Sequence, residues 1–283
     1  MLADDITIKP TTDLFIAALW SAPKNEPILR SLLNGVMTNI GQPAIVKATV
    51  LNPFNIQENP VDKQIRLDVL VEDETKKRYN IEVQTDPHPG FFNRMLYYWA
   101  ETYSARLQRG KNYKELRPVY SIVITEFPVF PQLTQLHAVF EIRAKENHGV
   151  LLSDHFQMHV LRLGDMLRNN LSGLDDLCKE LQRWMQFWAL GEKLEEREMS
   201  TMLHDTPEVL QAYEEYKRFT ADPVMWEKIR ARERFEIDQQ LRIGEAKREG
   251  REETARNFKR LGVSIATIAE ATGLSVSEIE RLN

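Results

Sequence analysis

The chain has 283 residues, of which 42% are hydrophobic and 28% charged, and its formal net charge is −5. This composition is typical of a globular protein and excludes the disordered and fibrous classes. The single cysteine, Cys178, excludes an intrachain disulfide and a cysteine-based zinc site. The chain starts with the acidic segment Met1–Asp5 instead of the apolar core of a signal peptide, and no uncharged run approaches the roughly 18 residues of a membrane span. We therefore expect a soluble cytoplasmic protein without a membrane partner.

A basic segment lies within this acidic chain. From Lys77 to Arg117 the sequence has eight lysines and arginines and four acidic residues. A locally positive segment is what binding to an anionic polymer requires. The charge alone indicates DNA only weakly as the partner.

The chain up to residue 170 alternates predicted helices and strands. Two short amphipathic helices come first, one starting behind Thr11 or Thr12 and one behind Asn25. A longer helix is predicted from Phe91 to Arg109, before Gly110. Alternating and β-branched runs predict six strands, at Ala44–Phe54, Lys63–Val71, Arg78–Thr85, Val119–Phe127, Leu136–Ala144 and Phe156–Leu163. This order predicts an α/β domain with a mixed central sheet flanked by helices.

The remainder of the chain is predicted to be helical. Residues 171–256 carry acidic and basic side chains interleaved at helical spacing, which is typical of solvated helices. In residues 257–283, a break at Gly273 and a capping box from Ser275 to Glu278 predict a helix-turn-helix-like hairpin. The outward residues of its second helix are net acidic, so packing or assembly is favoured over DNA contact. A homo-oligomer formed through these C-terminal helices stays an open alternative.

The most informative stretch is a predicted β-hairpin that spans Asp62 to Gln84. Apolar residues alternate along both strands, so Asp68 in the first strand and Glu82 and Gln84 in the second fall on the polar faces. If both apolar rows face one core, these three side chains converge on one surface. That arrangement requires the numbers of paired residues to add up to an even total, and hence a loop with an odd number of residues.

Two interpretations of these carboxylates are open. Neighbouring carboxylates repel each other unless a cation or a proton lies between them, and such oxygen ligands suit Mg²⁺ or Mn²⁺. An ion bound there would polarise a phosphoryl oxygen and activate its bound water. The alternative is an ordinary polar outer face, for which acids next to Arg66 and Arg78 need no special explanation.

The order of these residues resembles the active site of PD-(D/E)xK nucleases, in which an Asp on one strand is followed by Glu-x-Lys or Glu-x-Gln on the next. The wider sequence is similar to one branch of them, the recombination-promoting nucleases (Rpn), which are often labelled transposases. The similarity is carried by Asp62-Lys63, Leu67-Asp68-Val69-Leu70-Val71, Asn80-Ile81-Glu82-Val83-Gln84, Arg94, Tyr97-Tyr98, Tyr103, Gly110, Tyr113, Gly262, Ile268-Ala269 and Thr272-Gly273-Leu274-Ser275.

This resemblance implies a restriction-endonuclease-like fold and a divalent-metal-dependent DNA endonuclease, linked to DNA recombination or mobile elements. It implies that Asp68 and Glu82 bind Mg²⁺ or Mn²⁺, with the carbonyl of Val83 as a third ligand. It also implies catalytic roles for Asp68, Glu82 and the residue at position 84.

Gln84 stands where the general pattern has a lysine. A neutral amide can orient a water molecule but cannot neutralise charge in the transition state, so we expect a cation from elsewhere. Arg94, on the following helix, is the candidate, and a salt bridge to Glu101 or Asp86 is the alternative for it. The departure at Gln84 also keeps a second function open, namely a weak or inactive nuclease fold that binds DNA or serves assembly.

Further acids and histidines are secondary candidates. The wider superfamily often adds an acid from the first helices, for which Asp13 and Glu26 are available. His88 lies in a stiff loop beside the predicted site and is a candidate phosphate contact. His155 and His159 are interpreted as structural, because a four-residue spacing gives ligand geometry on a helix and not on a strand.

Overall fold

A computed structural model describes residues 7–52, 69–107, 110, 112–169 and 171–282 of the chain. The chain divides into two compact units, Met1–Pro223 and Val224–Asn283. The three-part organisation predicted from composition, with boundaries after residues 170 and 256, stays a prediction.

A mixed sheet organises the first unit. Its six strands in the described part of the chain are β1 (Ala48–Val50), β2 (Val69–Asp73), β3 (Arg78–Gln84), β4 (Val119–Thr125), β5 (His137–Phe140) and β6 (Phe156–Leu161). Their spatial order is β1-β2-β3-β4-β6-β5. The central strands β3, β4 and β6 run parallel to one another, whereas β1 to β3 are joined antiparallel and β5 pairs antiparallel with β6. The predicted α/β class with a mixed sheet is confirmed.

Helices flank this sheet in the first unit, and further helices form the second unit. In the described residues they are α1 (Asp13–Ser21), α2 (Glu26–Thr38), α3 (Phe91–Ser104), α4 (Leu163–Arg168), α5 (Lys179–Leu190), α6 (Glu196–Leu203), α7 (Pro207–Ala221), α8 (Pro223–Arg260), α9 (Ile265–Thr272) and α10 (Val276–Arg281). None of these helices combines the length and the apolarity that crossing a bilayer would need.

The two faces of the sheet bury different helices. On one face, helices α1 and α2 contact β2 and β1, and α2 packs in turn on α5 and α7. On the other face, α3 packs on β4, and Phe91 and Met95 of this helix join a core with Val123, Phe156 and Val160. The face covered by α3 is the one that carries the even-numbered residues of β3, because Val123 pairs with Glu82 in the parallel ladder.

The long helix and the fifth strand end earlier than their sequence patterns indicate. Helix α3 stops at Ser104, whose hydroxyl donates to the carbonyl of Glu101, whereas the pattern predicts a helix up to Arg109. Serine hydroxyls compete in this way for helical carbonyls. Strand β5 stops at Phe140, and the chain beyond it forms a separate bridge between Arg143 and Leu151.

The second unit contains the predicted pair of short C-terminal helices. Gly273 adopts a left-handed conformation with φ of 69° between α9 and α10, and Ser275 forms the capping box with Glu278. The Nζ atom of Lys259 donates to the carbonyls of residues 279, 280 and 282 at the end of α10. The apolar core of this unit consists of Ala255, Ile268, Leu274 and Ile279. The hairpin therefore closes on the end of α8.

Candidate active site

The β2–β3 hairpin sets the register of the site. Val69 pairs with Ile81 and Glu72 with Arg78. The residue numbers of each pair thus have the same even sum, as the sequence predicts. The turn is held by the Asp73 carboxylate, which accepts hydrogen bonds from the backbone amides of residues 75 and 77 at 2.8 and 2.9 Å. An Asp at the start of a turn commonly makes such bonds. Even-numbered residues of β2 and β3 therefore share one face.

Asp68, the first predicted metal ligand, lies outside the described residues. The described ladder begins with the pair Val69–Ile81. The numbers 68 and 82 give the same even total as every described pair, which is the condition set by the sequence for convergence with Glu82. The role of Asp68 stays a prediction.

Glu82 lies in the interior of the sheet, on the face covered by α3. Its strand is paired on both sides, with β2 and with β4, and the residue is almost fully buried. An ionised carboxylate at such a position requires a charged or hydrogen-bonding partner. That partner is Arg94, whose Nη2 lies 2.9 Å from Glu82 Oε1.

Arg94 reaches the sheet from the first turn of α3. The helix begins after Gly90, whose φ of 78° suits a residue without Cβ, and the amide of Arg94 donates to the Gly90 carbonyl at 3.0 Å. The guanidinium also lies 5.4 Å from the centre of the Phe91 ring, at the outer limit of a cation–π contact. One turn of helix thus carries a cation back over the strand that holds Glu82.

Gln84 completes the arrangement. Its Oε1 accepts a hydrogen bond of 2.8 Å from the same Nη2 of Arg94, and its Nε2 donates to the carbonyl of Asp86 at 2.8 Å. Gln84 is thereby oriented with its oxygen towards Arg94. Within the described part of the chain, the ion pair of Arg94 is with Glu82 and not with Glu101 or Asp86. Three of the four predicted catalytic residues are therefore in direct contact.

A model of the family described as PD-(D/E)XK nuclease family transposase matches residues 10–246 of the chain. The chain belongs to this family. Its mixed sheet flanked by helices has the restriction-endonuclease-like fold of PD-(D/E)XK proteins. No curated protein and no solved structure shows a significant match to the chain. Membership in a PD-(D/E)XK nuclease family implies DNA as the partner, and nucleases of this kind generally use divalent metals.

The described residues supply part of the ligand set of a PD-(D/E)XK metal site. Glu82 provides one carboxylate, and no group of three or more His, Cys, Asp or Glu side chains in the described ranges could hold a metal. The carbonyl of Gln84 accepts from Glu126 on the β4 side, and successive carbonyls alternate along a strand, so the Val83 carbonyl points towards β2. One carboxylate and one carbonyl fit Mg²⁺ or Mn²⁺, which bind few protein oxygens and keep water and substrate phosphate as further ligands.

The acids of the first two helices bond to protein groups away from Glu82. Asp13 Oδ1 accepts from the amide of Leu14 at the start of α1. Glu26 Oε1 accepts from the amide of Ala48 at 2.9 Å and lies 3.3 Å from the Nε atom of Arg30. Glu26 therefore ties α2 to the edge strand β1, and the participation of either acid in the family site stays a prediction.

His88 lies close to the site, in the loop before α3. It lines a cavity of about 550 Å³ that is bounded by residues 87–93 and Phe127, and its Nδ1 lies 2.7 Å from the Pro89 carbonyl. The cavity adjoins the helical turn that carries Arg94. The role of His88 as a phosphate contact stays a prediction.

His155, just before β6, and His159, within it, make separate contacts. His155 bonds with the hydroxyl of Tyr103 at 2.8 Å, whereas His159 is fully buried and bonds with His137 at 3.0 Å on the face opposite α3. Burial lowers the pKa of His137 to about 4, and burial together with His137 and Lys77 lowers the pKa of His159 well below its usual range. Both rings of the pair are therefore neutral at pH 7.

Sequence reasoning missed a group of basic residues at the other end of the hairpin. Glu72 forms ion pairs with Lys76 at 3.0 Å, with Arg78 at 3.2 Å and with Arg106 at 3.9 Å. Arg117 is close enough to lower the pKa of Arg106, for which burial is the main cause. We call Lys76, Arg78, Arg106 and Arg117 the basic cluster. Three of its four members lie in the basic segment from residue 77 to 117, but the sequence alone could not show that they come together.

Proposed function

We propose that the protein is a divalent-metal-dependent DNA endonuclease that hydrolyses phosphodiester bonds. The observation that carries the proposal is the contact of one guanidinium group with both Glu82 and Gln84, on the strand that holds the family motif. Family membership supports nuclease chemistry, and the arrangement offers an anionic ligand beside a fixed cation. We propose that this cleavage takes place in the cytoplasm and is linked to DNA recombination or mobile elements.

In this proposal, Arg94 replaces the lysine of the general pattern. An arginine side chain is a permanent cation in proteins, and this one lies within hydrogen-bond distance of Gln84. A fixed cation stabilises negative charge that develops on the phosphoryl oxygens in the transition state. Gln84 acts as the positioning residue, because its side-chain oxygen accepts from Nη2 while its amide nitrogen is anchored to the loop.

Glu82, together with Asp68 and the carbonyl of Val83, would hold the metal. When bound, Mg²⁺ or Mn²⁺ supplies a polarised phosphoryl oxygen and an activated water molecule. Glu82 suits this role because its strand is anchored by pairing on both sides, which fixes the carboxylate relative to α3. Arg94 balances the carboxylate charge in the absence of other cations and remains beside it for the substrate phosphate.

Plasmid nicking tests the proposal directly. Purified wild-type protein is incubated with supercoiled plasmid in Mg²⁺, in Mn²⁺ and in EDTA, beside Glu82→Gln and Glu82→Ala. We expect metal-dependent nicking by the wild type and a loss of about 100-fold or more in both variants, since each removes a metal ligand.

Glu141→Gln is the matched control for this experiment. Glu141 is also a carboxylate paired with an arginine, Arg143, at 2.6 Å, but it lies just beyond β5 and bonds Gln157. We expect its nicking rate to stay within twofold of the wild type. Nicking by the Glu82 variants at the wild-type rate, with contaminating nuclease excluded, would show that the hairpin carboxylate is not part of the chemistry.

A nuclease fold that binds DNA without cutting it is the second candidate. The neutral residue at position 84 favours this alternative, because the lysine of the general pattern is replaced. It predicts DNA binding that depends on salt but not on Mg²⁺ or on Glu82. Absence of nicking by the wild type, together with unchanged DNA binding by Glu82→Gln, would select this function over cleavage.

A further inference from the structure

The basic cluster gathers more positive charge than its carboxylate can balance. Three of its cationic side chains form ion pairs with Glu72, and the fourth, Arg117, acts electrostatically on Arg106. Burial opposes ionisation of Glu72, yet hydrogen bonds from Lys76 and Arg78 lower the pKa of its carboxyl group, so it is charged. Even with the neighbouring Asp73 carboxylate, which also acts on Arg106, two negative charges stand against four positive ones, so the cluster is positive in a chain with a net charge of −5.

Arg106 is the buried member of the cluster. Its side chain is only 9% exposed, and its Nη2 donates to the carbonyl of Lys76 at 2.5 Å. Its Nη1 makes no hydrogen bond in the described part of the structure, and its ion pair with Glu72 is long, at 3.9 Å. A buried guanidinium nitrogen without a hydrogen bond is costly, and an anionic oxygen would satisfy it. Burial and the like charges of Arg78 and Arg117 also lower the pKa of Arg106.

The other members extend from Arg106 to the surface. Arg78 is half-buried, and Arg117 and Lys76 are exposed. An anion can therefore approach through the exposed cations and meet the buried guanidinium behind them. This graded exposure differs from a structural salt bridge, in which the cation and the anion saturate each other.

The basic cluster lies on the same face of the sheet as Glu82. Glu72 pairs with Arg78 in the hairpin, and the even-numbered residues of β3 run from Arg78 to Glu82 along that face. Four residues of strand span about 13 Å. Phosphates of one DNA strand repeat every 3.4 Å along the duplex axis, so this span corresponds to a few nucleotides.

We propose that the basic cluster binds a phosphate group of the DNA backbone, a few nucleotides from the bond that Glu82 and Arg94 address. The assignment of DNA rests on the proposed function. Arg117 and Lys76 contact the phosphate from the solvent side, and Arg106 donates its Nη1 from below. The cluster thus fixes the direction in which the strand enters the site.

Salt dependence of DNA binding tests this assignment without any cleavage. Fluorescence anisotropy of a labelled duplex is measured against salt concentration in EDTA for the full-length wild type, Arg117→Gln and Lys76→Gln. Each variant is expected to bind more weakly and to lower the slope of log K against log salt by about 1, the value for one lost phosphate contact. The matched control is Arg197→Gln, an exposed arginine of α6 in the opposite helical layer, for which an unchanged slope is expected.

Arg106→Gln and Arg106→Lys test the buried member. We expect the glutamine variant to bind duplex about tenfold more weakly and the lysine variant, which keeps the charge, to recover part of that loss. Equal slopes for the wild type, Arg117→Gln and Lys76→Gln would overturn the phosphate site. So would wild-type affinity in a folded Arg106→Gln protein, with folding checked by thermal unfolding.

A last arm separates the DNA backbone from free phosphate as the ligand. At constant ionic strength, replacing chloride by inorganic phosphate is expected to change duplex affinity less than twofold. A loss as large as that of Arg117→Gln would assign the cluster to free phosphate and overturn the backbone assignment. The plasmid experiment is independent: nicking with unaltered slopes refutes the cluster alone, and altered slopes without nicking refute the endonuclease alone.

Discussion

Two arginine–carboxylate pairs of almost equal length occur on the α3 side of the sheet, and they differ in what surrounds them. The pair Arg94–Glu82 measures 2.9 Å, with side chains 36% and 8% exposed. The pair Arg162–Asp165 measures 3.0 Å, with side chains 3% and 10% exposed. Distance and carboxylate burial are nearly the same in both, so neither property distinguishes the two pairs.

The Arg162–Asp165 pair is saturated. The guanidinium of Arg162 donates to the carbonyls of four residues in the loop between β4 and β5, at positions 129, 130, 133 and 135. Asp165 in turn accepts from the amide of Val129 at 3.0 Å. Every contact ties this loop to the end of β6, and the pair has no capacity for a ligand.

The Arg94–Glu82 pair is not saturated on the arginine side. A single nitrogen of Arg94 serves both Glu82 and Gln84, and its Nε is buried without a hydrogen-bond partner within the described ranges. The side chain is also more than ten times as exposed as that of Arg162. An arginine that is partly open to solvent and not saturated by the protein can contact a substrate anion, so saturation and exposure separate the two pairs.

Removal of Arg162 is expected to give the largest effect on stability. Arg162→Ala leaves Asp165 charged and buried and four carbonyls unpaired, which costs about 3–5 kcal/mol in the free energy of unfolding. Arg94→Ala is expected to cost less than half as much, because it unpairs no backbone carbonyl and the space of the partly exposed arginine admits water to Glu82. Urea unfolding followed by circular dichroism measures both, and equal losses would remove the distinction between the pairs.

Removal of Arg94 is expected to affect cleavage instead. Arg94→Ala should lower the plasmid-nicking rate about 100-fold, because it removes the fixed positive charge beside the phosphate. The double variant Arg94→Ala with Gln84→Lys restores the positive charge from the strand, and its nicking rate should be about tenfold higher than that of Arg94→Ala alone. Nicking by Arg94→Ala at more than half the wild-type rate would show that the guanidinium only balances the charge of Glu82.

The buried pair His137–His159 on the opposite face of the sheet is neutral, and it provides a third pair to compare with the two charged ones. In the unfolded chain His137 takes up a proton below about pH 6.5, whereas its folded pKa is about 4. Its contribution to stability is therefore complete above pH 6.5 and is lost as the pH falls towards 4, with a slope of up to about 1.4 kcal/mol per pH unit.

His137→Gln keeps a hydrogen-bonding group and removes this titration. Urea midpoints at several values between pH 7.5 and 4.5 should show a shallower decrease in the variant than in the wild type. Parallel curves for the two proteins would mean that His137 is already protonated in the fold at pH 6.

The sheet and much of the site could be predicted because their information is local. Alternation along β3 separates Glu82 and Gln84 from Tyr79 and Ile81, and the odd-length turn after Asp73 follows from its own hydrogen bonds. Arg94 could be named because a helix that follows a short loop returns over the strand before it. The alternation of residues along the strand and the short loop before α3 were sufficient to place these residues near one another.

The remainder depends on partners that are distant in sequence. The saturating bonds of Arg162 come from carbonyls about 30 positions earlier, and side-chain patterns contain no information about carbonyls. Glu72 and Arg106 meet only because α3 runs back along the hairpin.

The packing of α3 has a consequence for biosynthesis. Glu82 and Arg94 lie 12 positions apart in the chain, yet the surface that supports α3 is formed by residues made later, such as Val123, Phe156 and Val160. A nascent chain that ends before β4 contains both charged groups but cannot hold the helix over the strand. Contacts of this sequence separation form slowly. During synthesis, the arrangement of Glu82 and Arg94 can therefore form only after the ribosome has made the last strand of the sheet.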